Sequence, residues 1–183
     1  MDQGANGLGC PIPEMAVPLY RRRVRPRFVE DYLYRHLRHG PLHLTLIDPD
    51  RQDPKEAGAM AKAAAEAGSH AIMVGGSTPE KAKVLDRTVK LIKRHSGLPV
   101  ILFPGGSTQV SAHADAIWFM SLLNSRSRDF LVGEQVKGAS IINRLGLECI
   151  PMGYLVVEPG GTVGRVGQAD LIRRDDLDGA IRY

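Results

Sequence analysis

Three corners of this chain combine residue types that can hold phosphates and metal ions. One is acidic, Asp48-Pro49-Asp50, and two are copies of one motif, Gly75-Gly76-Ser77-Thr78 and Gly105-Gly106-Ser107-Thr108. Glycine lets backbone N–H groups approach an anion closely, and a carboxylate beside a hydroxyl offers hard oxygen donors to a divalent cation. Each corner follows an apolar run: residues 42–47, 71–74 and 100–103. The glycine corners stand thirty residues apart, the length of one strand–helix unit in a β/α repeat. Such folds place their chemistry at the carboxyl ends of parallel strands. The pattern therefore predicts an enzyme that handles phosphorylated substrates, with Gly75, Gly76, Gly105 and Gly106 on the phosphate side.

Between the corners, strand and helix patterns alternate. Residues 28–39 read as a short helix closed by Gly40-Pro41, and 42–47 as the first strand. Asp53, Pro54 and Glu56 form a capping-box arrangement that starts an Ala-rich helix ending at Gly68. The second strand is 71–74; after it Thr78-Pro79 opens a helix with Val84, Leu85, Thr88, Leu91 and Ile92 on one face. Strands follow at 99–103 and 116–120. Only eight residues separate Gly106 from Asp115, too few for a crossover helix, so the third helix is predicted to be missing or reduced to a turn. A long helix over 128–145, closed by Gly146, leads to a fifth strand at 148–157. Residues 158–167 read as a flexible loop, and the charged remainder has little helical signal.

Five strands and about three substantial helices make an α/β fold of TIM-barrel type. A closed (β/α)₈ barrel takes about 250 residues and eight strands. At 183 residues the expectation is an incomplete barrel, with residues 28–183 as its domain. Residues 1–27 form an Arg/Pro/Gly-rich arm, expected to be disordered. Their five arginines against Asp2 and Glu14 hold three of the four net positive charges. The basicity thus belongs to the arm, and a solvated arm rather than a nucleic-acid partner is the reading. Cys10 and Cys149 suggest neither a disulfide framework nor a zinc site. No apolar stretch reaches the ~18 residues of a membrane span, and the protein is expected in the cytoplasm.

The same residues resemble the geranylgeranylglyceryl phosphate synthase family, also called the PcrB-like prenyltransferases, in its archaeal branch. The matching blocks are His43-Leu-Thr-Leu-Ile-Asp-Pro-Asp50, Ile72-Met-Val-Gly-Gly-Ser-Thr78 and Ile101-Leu-Phe-Pro-Gly105, then Ala114-Asp-Ala-Ile-Trp-Phe-Met-Ser-Leu-Leu-Asn-Ser125 and Pro151-Met-Gly-Tyr-Leu-Val-Val-Glu-Pro-Gly-Gly-Thr-Val-Gly164. The resemblance implies a modified TIM barrel without its third helix. It also implies transfer of a geranylgeranyl group from geranylgeranyl diphosphate to the 3-hydroxyl of sn-glycerol 1-phosphate, a step of archaeal ether-lipid synthesis. Magnesium would assist departure of the diphosphate, with Asp48 and Ser77 at the family's metal positions.

Asn124 follows the fourth strand on the catalytic face, where it would contact diphosphate or cap a helix. No residue is assigned as a general acid or base. The family holds the glycerol phosphate in a Tyr-Leu-Glu-rich segment, a Gly-Gly-Gly-Ile-Arg loop and a Gly-Thr pair. None of these occurs after Gly167, and residues 168–183 are read as unlike the family's continuation, so no acceptor-phosphate site is expected within this chain. Open strand edges predict a homo-oligomer, and a lipid product implies proximity to a membrane surface. The alternative is a non-catalytic remnant that binds a prenyl diphosphate or assembles with a partner.

Overall fold

The computed structural model describes residues 27–76 and 82–183. Ser77 and Thr78, and all but the last residue of the N-terminal arm, lie outside the described residues. Five parallel strands pair in chain order: β1 (Leu44–Ile47), β2 (Ala71–Val74), β3 (Val100–Leu102), β4 (Ala116–Leu122) and β5 (Glu148–Tyr154). Ile47 stands beside Val74 and Val74 beside Leu102. The residues that follow these strands, Asp48, Gly75 and Phe103, are thereby brought to one rim. The sheet does not close, because β1 and β5 end the strand order. This is the incomplete barrel expected from the sequence.

Strand alternation divides the apolar residues between two cores. Ile47, Ile72, Val74, Val100 and Leu102 face the helices, packing with Ala57, Ala61, Leu85, Val89 and Ile92. These come from α2 (Pro54–Glu66) and α3 (Ala82–Ser96). Asp53 starts α2 as the capping pattern predicts, accepting N–H bonds from Lys55 at 2.7 Å and Glu56 at 3.0 Å. The Glu56 and then the Lys55 N–H hold its carboxyl below the usual range. A methyl group at Gly58 would lie 3.4 Å from Leu91 Cβ, so the small residues of α2 set a close α2–α3 approach.

On the other face Ala71, Ile101, Ala116 and Ile150 meet Val29 and Leu33 of α1 (Phe28–Leu37). This helix seals the amino-end floor of the open barrel. Its first N–H groups, from Val29 and Glu30, donate to the two oxygens of the Glu148 carboxylate at 2.8 Å each. An acceptor at the start of β5 thus satisfies two of the orphan donors at a helix start.

Residues 103–115 contain no helix, as their length predicts. The stretch is pinned by side chains instead. Ser111 donates to Asp86 at 2.6 Å, and Asp115 accepts from the Val100 N–H at 2.9 Å while pairing with Lys93.

Two elements differ from expectation. The helix read over 128–145 is a π-helical turn, Asp129–Gly133, running into α4 (Glu134–Leu145), which Gly146 ends at φ +77°. The loop read over 158–167 contains a helix, α5 (Gly161–Val166). Its stability comes from packing rather than propensity: a Cβ at Gly164 would sit 3.0 Å from Leu171. A further short helix, α6 (Leu177–Ile181), is capped by Asp176. Among the described residues no helix is long and apolar enough to cross a membrane.

Candidate functional site

The acidic corner is shaped by its own backbone. Asp48 Oδ1 accepts the Asp50 N–H at 3.1 Å, its carbonyl accepts the Arg51 N–H at 3.1 Å, and Pro49 is buried beneath the turn. This Asx-type turn holds the second carboxylate oxygen at the rim, 3.6 Å from Arg51 Nε. The side chain is 37% exposed, so it can be reached by a ligand. Gly75 adjoins it: its N–H donates to Ile47 O at 2.9 Å, and a Cβ there would lie 3.8 Å from Asp48 Cα. The first glycine corner and the acidic corner are therefore one surface.

The second glycine corner lies beside the first. The bridge is Gln109, whose Oε1 would be 3.6 Å from a Cβ at Gly76 and accepts the Gly105 N–H at 2.6 Å. Two residues on, the Ser107 N–H donates to Glu134 Oε2, also at 2.6 Å. Glu134 comes from the first turn of α4, and its other oxygen binds Lys137 Nζ at 2.8 Å. The Lys137 ammonium first, and the Ser107 N–H second, hold the Glu134 carboxyl below the usual glutamate range. The Gly105 and Ser107 amides of this corner thus already have internal oxygens as partners.

A cavity of about 610 Å³ joins these features, a size suited to a small organic ligand. Asp48, Gly75, Gly76, Gly105 and Gly106 line its polar rim. Its walls are apolar: Phe103, Val110, Ile117, Phe119, Phe130 and Ile142, with Tyr154 and Val156. Ile117 and Phe119 belong to the helix-side core, whereas Trp118 belongs to the core on the opposite face of the sheet. Residues from both faces of β4 thus reach the cavity. An apolar berth beside a carboxylate and a glycine rim suits a long hydrocarbon carrying an anionic head.

Of the site residues expected from sequence, Asp48, Gly75, Gly76, Gly105 and Gly106 converge on this rim. Ser77 lies outside the described residues. Asn124 does not join them. It is 1% exposed, with its amide nitrogen donating to Val156 O at 2.9 Å and Asp170 O at 2.7 Å, and its oxygen accepting the Val156 N–H at 3.0 Å. Every donor and one acceptor site is committed to tying the end of β4 to the segment after β5, so the expected diphosphate contact gives way to a structural role. Sequence reasoning missed Gln109, Glu134 and the aromatic walls. The one available signal was the missing helix, which predicts an unfilled space but not what borders it. No cluster of three or more His, Cys, Asp or Glu side chains able to hold a metal occurs among the described residues.

The sequence profile of the PcrB family matches residues 34–182. The geranylgeranylglyceryl phosphate synthase of Methanothrix thermoacetophila is 52% identical over 166 residues, covering 90% of this chain and 65% of that protein. The synthase of Pyrococcus horikoshii is 53% identical over 146 residues, 80% of this chain and 58% of its own length. The solved wild-type GGGPS from Thermoplasma volcanium aligns with a TM-score of 0.74 at 54% identity, covering 78% of this chain and 57% of that one. A second, from Thermoplasma acidophilum, is (S)-3-O-geranylgeranylglyceryl phosphate synthase in complex with substrate sn-glycerol-1-phosphate. It aligns with a TM-score of 0.79 at 50% identity, covering 84% of this chain and 62% of that one. The chain spans less than two thirds of the length of these relatives. The profile match also corrects one expectation: it runs to residue 182, so residues 168–182 follow the family's pattern.

Proposed function

This chain belongs to the PcrB family, and from that premise we propose that it serves prenyl transfer, in which a geranylgeranyl group leaves its diphosphate for the 3-hydroxyl of sn-glycerol 1-phosphate. One observation carries the reading: a single cavity has both an apolar wall and a rim of Asp48 and glycine corners. The likeness to synthases, one of them holding sn-glycerol-1-phosphate, supports the choice of donor and acceptor.

The donor set at the rim fits magnesium, which binds through one or two carboxylates plus substrate phosphates and retained water. Asp48 and Ser77 would hold it. When bound, the ion supplies charge neutralisation to the departing diphosphate. The chain's own residues supply the rest. Gly75 and Gly76 let phosphate oxygens come close to the backbone without steric conflict. Phe103, Phe119 and Phe130 exclude water from the hydrocarbon, and aromatic faces favour positive charge. As the C1–O bond of the donor breaks, the allylic carbon becomes cationic, and the acceptor hydroxyl oxygen attacks it and releases its proton.

The test is product formation from labelled sn-glycerol 1-phosphate, geranylgeranyl diphosphate and magnesium. Extractable lipid is expected, falling at least ~100-fold in Asp48→Asn. A second reading, donor binding without transfer by a chain that assembles with a partner, is favoured by β1 and β5 standing at the ends of the strand order among the described residues. Donor binding with no product in a folded chain would select it.

A further inference from the structure

We propose that Glu134 is a positioning residue that clasps the loop after β3 over the apolar cavity, and that a long-chain ligand must open this clasp to enter. The proposal rests on reading the cavity as the berth of the prenyl chain. It starts from the absent helix. Where a crossover helix would stand, residues 103–115 form a loop with no helix or strand of its own, and such a loop holds its place only through tertiary ties.

Those ties are unevenly distributed. The end of the loop is fixed by Ser111 on Asp86 and by Asp115 on Val100. Its start folds on itself through Gly105 and Gln109. The middle is held to α4 through Ser107 and Glu134, a charge-assisted bond of 2.6 Å. The neighbouring helix is built for that contact. Glu134, Gly138 and Ile142 are spaced by four and share one helix face. All three line the cavity, and a Cβ at Gly138 would lie 3.6 Å from Ser107 Cβ. Ahead of them, the π-helical turn brings Asp129 within 3.1 Å of Lys137, which also binds Glu134 at 2.8 Å.

The clasp sits at the surface. Glu134 is 29% and Lys137 54% exposed at the side chain. Ion pairs in such places contribute little to global stability, so this contact can open without unfolding β3 or β4. A loop fixed at its far end, with Val110 on the core, and tied to α4 by one part-exposed carboxylate is a gate for the space beneath it.

The experiment compares the full chain with Glu134→Gln and Glu134→Asp by residue-resolved hydrogen exchange and by stopped-flow association of geranylgeranyl diphosphate. In Glu134→Gln the Ser107 amide should exchange about tenfold faster, with β3 and β4 amides unchanged. Association should quicken severalfold, and Glu134→Asp should fall between. Should Glu134→Gln lose protection throughout, Lys137→Gln, which leaves the carboxylate in place but unpaired, should give a smaller acceleration confined to residues 105–109. Unchanged Ser107 exchange overturns the clasp, and faster exchange with unchanged association overturns the gate. A wild-type chain that binds no prenyl diphosphate overturns the functional reading and the gate together, an outcome distinct from intact binding with an unmoved Ser107.

Discussion

The two glycine corners carry the same four residues and meet different neighbours. Gly75 lies against Asp48 at the end of β1, and Gly76 and the Asp48 side chain line the same cavity. Gly105 and Ser107, one strand further along the sheet, donate their N–H groups to Gln109 and Glu134. In the proposed reading the first corner, with its acidic partner, takes the cation and the phosphate. The second has its own oxygens where a phosphate's would go. On that reading a repeated motif divides into a ligand rim and a latch according to what the next element presents: an Asp-Pro turn in one case, a helix start in the other. The motif alone does not set its use.

That contrast can be broken in graded steps. Asp48→Asn comes first: the ~100-fold loss of product should occur with thermal stability unchanged, since the side chain is part-exposed and lost charge, not packing, is the cause. Asn124→Ala should do the opposite. It strips three hydrogen bonds, two of them buried, and should cost about 3 kcal/mol in denaturant unfolding while leaving the donor KM of the folded fraction alone.

Gly76→Ala and Gly106→Ala compare the corners directly. Among the described residues a methyl group at 76 meets Gln109 at ordinary contact distance, yet it would stand where a phosphate must approach, so donor affinity should drop about tenfold. At 106 the methyl would press on Glu134 Oε2 at 3.3 Å, which should loosen the latch and change donor affinity less than twofold.

The smallest effect is in pH. Lys137 and Ser107 lower the Glu134 carboxyl from its ordinary 4.5, so its contribution is complete above that value and is lost as pH falls through the lower folded one. Ser107 exchange, corrected for its intrinsic rate, should stay flat from about pH 8 to about pH 5 and rise only in stronger acid.

Local chemistry was legible in the sequence where it acts over a few residues. Asp53, Pro54 and Glu56 announce α2, Gly146 announces the end of α4, and Asp48-Pro49 announces a turn at a strand end. The missing third helix could be read from simple reach, because eight residues cannot return a chain to a parallel strand by way of a helix. Contacts set by tertiary packing were not legible. Ser107 and Glu134 are 27 positions apart, and Glu134 reads as one more charged residue inside the helix expected over 128–145. Asn124 has the polarity of a ligand, and only its burial between β4 and the chain after β5 gives it a structural task. Helix α5 is hidden in a glycine-rich stretch because Gly164 is there for closeness to Leu171 and Val156, where propensity reads a loop.

The most direct test of the central claim is calorimetric titration of geranylgeranyl diphosphate into the wild-type chain and Asp48→Asn, with and without magnesium. The account predicts binding that magnesium strengthens in the wild type, with the magnesium effect abolished in Asp48→Asn. Equal affinities in both proteins, indifferent to the ion, would contradict the assignment of the Asp48 rim to the diphosphate.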